Sequence, residues 1–289
     1  MSEVSDYKSS PFDLYTQPAL TSNYTGTATP PGPGYTGTGL NSIPDYSYDS
    51  LCGVKFATSD GRTLAIVRNA ATAIGSGKLI QGPAEITGFE KLAITVPTAT
   101  PATAGTYQIL VTNGSTVLKQ NLYAGGYLIV ESGTGLGQTL QIASHQASIA
   151  TTGKFIVTLI DPIQVTLDAT STVSLVANPY IAVVITDHST LGNPVGATCY
   201  AVAASTAPTW DGTSGLQTAA GLPVYAFVVT HGVTGILVDN SVTNVGYPIG
   251  RSAATDGAVG VASLTTAAQI GISVQTLTSA HYGPIDLKL

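Results

Sequence analysis

The residues best suited to chemistry are four histidines, His145, His188, His231 and His281, and they are scattered. A closed metal site draws nitrogen and sulfur ligands from short, paired spacings. None of the four has a cysteine or second histidine so placed. His188 follows Asp187, but neighbours on a strand point to opposite faces. Each histidine therefore reads as a turn or core residue. Asp161, Asp168, Asp187, Asp211, Asp239 and Asp256 stand mostly beside Gly, Pro or Asn. Aspartates cap such turns through their own side chains. Loops that converge could still gather these oxygens around calcium, an alternative that stays open. The spacing itself points to no metal and no cofactor.

Gly133-Thr134-Gly135-Leu136-Gly137 matches half of a dinucleotide fingerprint. That motif needs a helix directly after the glycines to meet the pyrophosphate. Gln138 to Ile142 reads as strand, so the motif reads as a glycine turn. Cys52 and Cys199 lie far apart and read as buried apolar residues rather than a disulfide. Asn23-Tyr24-Thr25 and Asn113-Gly114-Ser115 match glycosylation acceptors, which carry little weight without a secretory signal. Met1 to Ser10 is polar and shows no such signal. The lone Trp210, beside Asp211, is the one candidate for a receptor-contacting loop tip. No catalytic constellation emerges, and the chain reads as a non-enzyme.

The elements that would position these residues are strands. Apolar runs rich in β-branched residues, such as Leu128-Ile129-Val130 and Phe155 to Ile160, alternate with glycine and proline turns. Strand, glycine turn, strand is an antiparallel signature. The expected fold is mainly β, with antiparallel barrel or sandwich domains, an extended N-terminal arm and very little helix. A short helical turn is expected from Asn69 to Ile74, capped by Asn69. Asn113-Gly114 predicts a hairpin between 106–112 and 116–122. Strands are expected at 222–230 and 235–238, and 281–289 reads as a short tail. Three parts follow: an arm over 1–50, a β domain over 51–170 and a second over 171–289, divided somewhere around Pro162 to Pro179.

The arm differs from the rest. It holds six prolines, five glycines and a single cation, Lys8. Prolines this dense block helix and central strand. Tyr7, Phe12, Tyr15, Tyr24, Tyr35, Tyr46 and Tyr48 are spaced along it and form the expected interface set. A tyrosine buries its ring on a partner and keeps a polar tip. The whole chain is 44% hydrophobic and only 9% charged, with a net charge of −6. Average usage is about 25% charged, so a surface covered by other subunits, and a homo-oligomer, is the expectation. No Lys or Arg lies between Lys154 and Arg251. Phosphate neutralisation needs cations, so nucleic acid is not an expected partner. No run reaches the roughly 20 apolar residues of a membrane-spanning helix, so a membrane is not one either.

One pattern resembles a known family. Ala124-Gly125-Gly126-Tyr127-Leu128-Ile129-Val130, Gly133 to Gly137 and Leu140-Gln141-Ile142-Ala143-Ser144-His145 resemble virion structural proteins of tailed bacteriophages. So do Ala73 to Pro83 and Gly250 to Ala262. The resemblance spans roughly Phe56 to Val274 and excludes the arm. It implies a head decoration, or cement, protein on the capsid exterior, β-rich and trimeric. Its partner would be the major capsid protein lattice, after synthesis in the host cytoplasm without a signal peptide. The family has no catalytic residues to carry over. A tail or fibre component, or a receptor-binding adhesin, is the alternative. A glycan hydrolase comes third, since it needs two converging carboxylates.

Overall fold

A computed structural model describes residue 49 and residues 51–86, 88–89, 94–95, 102–114, 116–149, 153–189, 192–219, 221–262 and 269–289. Strands come first as β1 (Lys55–Ala57), β2 (Thr63–Arg68) and β3 (Leu79–Gln81). Next are β4 (Ile94–Thr95), β5 (Gln108–Thr112), β6 (Tyr127–Ser132), β7 (Thr139–His145), β8 (Lys154–Leu159) and β9 (Thr172–Val176). Then come β10 (Val184–Ile185), β11 (Pro194–Thr198), β12 (Thr209–Trp210), β13 (Gln217–Ala219) and β14 (Tyr225–Leu237). The last four are β15 (Pro248–Arg251), β16 (Val259–Val261), β17 (Gln269–Ser273) and β18 (Tyr282–Lys288). The fold is mainly antiparallel β, as composition and alternation require.

β4 to β9 close into a six-stranded barrel in the order β4-β5-β8-β7-β6-β9. β6, β7 and β8 form a meander and β9 returns beside β6, which is a Greek key. The period-2 pattern explains the interior. Ile109 and Val111 of β5, Leu128 and Val130 of β6, and Phe155, Val157 and Leu159 of β8 all point inward and are buried. A barrel this small is filled by its own side chains. A bulge between Ile142 and Ser144 rephases β7. Its last residue, His145, thereby enters the core.

Ten strands form a second, open sheet, ordered β10-β3-β11-β14-β18-β17-β15-β16 with β1 and β2 attached at β14. The pairing groups the strands otherwise than a boundary near residue 170. β2 pairs with β14, and β3 with β10 and β11. Residues 55–81 thus join a sheet whose other strands begin at residue 184, and the barrel is inserted between them. β12 and β13 make a separate two-stranded ribbon.

Several local expectations need correction. Asn69 to Ile74 is not helical, because its backbone is claimed by distant segments through isolated β-bridges. Ala70 N–H donates to Val183 O and Ile74 N–H to Val202 O, while the Asn69 amide donates to Thr72 O and Ala203 O. Asn113-Gly114 closes no hairpin. The Asn113 side chain is buried and donates to Thr116 O and Ile149 O, turning the chain towards Ser148 instead. That burial also removes Asn113 as a glycosylation acceptor in the folded chain. The strands at 222–230 and 235–238 are one 13-residue strand, β14. The tail at 281–289 is β18, which lies between β14 and β17 with Ile285 and Leu287 fully buried. Pro284, Asp286 and Lys288 disguised it, yet they alternate with the buried positions.

Candidate functional site

The chain enters β4 and leaves β9 at one end of the barrel; the other end is built from the loops 102–107, 133–138 and 160–171. These loops are tied together. Ala102 and Leu167 exchange two backbone hydrogen bonds, 3.0 and 2.8 Å, and Gly105 N–H donates to Ile163 O at 2.7 Å. The Gln138 amide oxygen accepts from Gln164 N–H (2.9 Å) and Val165 N–H (3.0 Å), and its nitrogen donates to Val165 O (3.0 Å). The Thr134 hydroxyl donates to Asp168 at 2.7 Å. Gly133, Gly135 and Gly137 all adopt positive φ, between 77° and 87°. A side chain at Gly133 would run into Thr170 O at 2.0 Å. β7 begins at Thr139 with no intervening helix, so the glycine motif is the turn it was expected to be.

On this braced end, four large apolar side chains face solvent: Tyr107, Leu136, Ile160 and Val165, with Leu136 67% exposed. No lysine or arginine occurs in these loops, where Asp161 is exposed and Asp168 half-buried. Hydrogen bonds from the Thr170 and Thr134 hydroxyls hold the Asp168 carboxyl below its usual range. This surface was not foreseen from the sequence. Its signal was Leu136, a large apolar residue between two glycines of a turn.

A second feature is a groove on the open sheet, about 440 Å³ in volume, over the paired strands β14 and β18. Its lining includes Arg62, Cys199, Val233, Gly235, Tyr282 and Pro284. The Tyr282 ring lies over Gly77, where a Cβ would come within 2.6 Å of it. The two cysteines form no disulfide with each other; Cys52 is buried as expected, whereas Cys199 is exposed.

The structure brings together three residues that the sequence left apart. Asp187, His188 and Asp256 have their ligand atoms within 4.8 Å of one another. Asp187 and His188 lie in the loop after β10, so strand alternation does not separate them. His188 makes two 2.8 Å contacts with the Asp256 carboxylate, from its backbone N–H and from Nδ1. Those hydrogen bonds hold the Asp256 carboxyl low. Asp187 accepts from Ser189 N–H and Oγ–H, and Arg251 donates to its carbonyl at 2.8 Å. The cluster ties this loop to the turn at Gly257. Asp168 and Asp211 cap their own turns as expected, on Thr170 and on Thr213 and Ser214, whereas Asp239 accepts from the Ser252 and Thr255 hydroxyls of a loop further along the chain.

The remaining histidines do different things. His281 Nδ1 meets Ser279 O in a turn. His231 stands exposed on β14, opposite Lys288. His145 is a core residue: its Nε2 accepts from Tyr123 N–H at 2.9 Å, so Nδ1 carries the proton and donates to Gln146 O. Burial lowers its pKa from 6.5 to about 4. Trp210 is half-buried under Lys119, whose Nζ sits 4.7 Å from the ring centre, and the Asp211 carboxylate is occupied by its own turn. The arm tyrosines and Phe12 lie outside the described residues. Asp49, at the arm's base, sits in the body: it contacts Arg68 Nε at 3.1 Å and accepts from Tyr225 OH at 3.0 Å. Burial raises its pKa against the opposing pull of Arg68.

Fold and surfaces define a class: an antiparallel β protein with a closed barrel set into a larger open sheet, presenting apolar loop tips. Compared with protein-family models, curated proteins and solved structures, the chain finds no match. Among the described residues no helix is long and apolar enough to cross a membrane.

Proposed function

We propose that this protein is a virion structural protein that binds the outer surface of a phage capsid and reinforces the major capsid protein lattice. The observation that carries the reading is the braced barrel end with Tyr107, Leu136, Ile160 and Val165 exposed and no cation among its loops. Loops held in place before contact lose little entropy on docking, so apolar tips of this kind favour protein–protein attachment. The Pro- and Tyr-rich arm adds contacts across subunit joints, and many modest contacts sum through multivalency. The role is structural rather than catalytic, and a homotrimer is the expected form.

Imaging purified particles with and without the protein tests this. Bound density on the capsid exterior is the expected result; its absence, or density confined to the tail, overturns it. Leu136→Asp sharpens the assignment to the barrel end. Burying a leucine contributes about 1.5–3 kcal/mol, so its loss should lower occupancy at least about tenfold while the protein remains folded.

A further inference from the structure

We propose that the groove over β14 and β18 holds residues 30–35 of the chain's own N-terminal arm. Three observations lead there. The groove has the form that takes proline-rich chain: a pre-positioned aromatic wall at Tyr282, apolar Val233 and Pro284, and a bare floor at Gly235, where a Cβ would meet nothing within 4 Å. Aromatic-lined grooves bind extended proline segments because prolines remove backbone donors and fix the chain beforehand. The arm offers one such segment, Pro30-Pro31-Gly32-Pro33-Gly34-Tyr35.

Length supplies the third observation. The described chain begins at Asp49, fixed to Arg68 and Tyr225 at the start of β14. Tyr225 and Gly235 are ten residues apart on that strand, or about 33 Å. Tyr35 precedes Asp49 by fourteen residues, a tether able to span about 46 Å. A tether that exceeds its span by this margin keeps the segment at millimolar effective concentration, which favours the chain's own groove over a neighbour's in the free protein. Exchange of this segment between copies would then provide a ready inter-subunit contact.

Cys199 lines the groove and is exposed, while Cys52 is buried, so a maleimide added to the full-length native protein reports on the groove. Its labelling rate is compared between wild type, P30S/P31S/P33S and Y35A, with circular dichroism confirming an unchanged body. The expected result is slow labelling in wild type at every protein concentration. The arm variants should label about tenfold faster, the ratio of millimolar effective concentration to a roughly 0.1 mM site. Equal rates in wild type and variants overturn the proposal. Protection that strengthens as protein concentration rises also overturns it, by assigning the groove to a second copy's arm.

Discussion

The barrel and the open sheet bury the same kind of apolar strand face through opposite connections. Every barrel strand lies between residues 94 and 176, and each pairs on both sides with another from that stretch. It has no free edge. The sheet is assembled across the whole described chain: β2 meets β14 from over 150 residues away, and β18 fits between β14 and β17. The barrel's main interior polar feature is a neutral histidine, whereas the sheet carries an ion pair, Asp49 with Arg68, at the base of the arm. Local closure gives the barrel independence, and long-range pairing makes the sheet depend on chain segments that come late.

The largest effect should come from removing residues 282–289. Ile285 and Leu287 are fully buried, and losing even two such side chains costs about 4–10 kcal/mol, comparable with a domain's whole stability of about 5–15 kcal/mol. Hydrogen exchange should show β14 and β17 unprotected while β5 and β8 stay protected. Loss of protection in both regions together would end the comparison by showing one cooperative unit.

Next in size is Arg68→Met. Removing one partner of this half-buried pair leaves the other charge largely uncompensated, a loss approaching the roughly 3–5 kcal/mol of a fully buried pair. Urea titration should show it, and D49N/R68M should recover most of it because no buried charge remains. If the double variant is as unstable as the single one, Arg68 acts through packing and not through Asp49.

His145 makes the barrel's stability depend on acid. Its folded pKa of about 4 lies below its ordinary 6.5, so the unfolded chain binds the extra proton between those values. The stabilisation is complete above pH 6.5 and is lost as pH falls towards 4, about 3 kcal/mol in all. Denaturant midpoints followed through the barrel should fall across this window, and H145Q should flatten the dependence. A pH response unchanged in H145Q would place its origin elsewhere.

The smallest change is expected at Asp256→Asn. The cluster is exposed, and surface ion pairs contribute about 0–1 kcal/mol. Melting temperature should barely move, and a chelator should leave both proteins unchanged. A fall of many degrees with chelator would reveal a bound cation held by Asp187, His188 and Asp256.

What the chain determines by itself is local. Alternation over Phe155 to Ile160 specifies a strand with one buried face, and three glycines at 133–137 specify a turn, because each property resides in the residues concerned. The tertiary structure decided which strands meet. Asn113-Gly114 has hairpin chemistry, yet Asn113 is taken up by Ile149 O. The 282–288 stretch carries proline and charges, yet strands on both sides make it interior. His188 and Asp256 are 68 residues apart and converge only because two loops do. Local preferences amount to about 1 kcal/mol per residue, whereas burying one large apolar side chain contributes about 1.5–3 kcal/mol. Where the two conflict, burial prevails, and burial depends on partners far away in sequence.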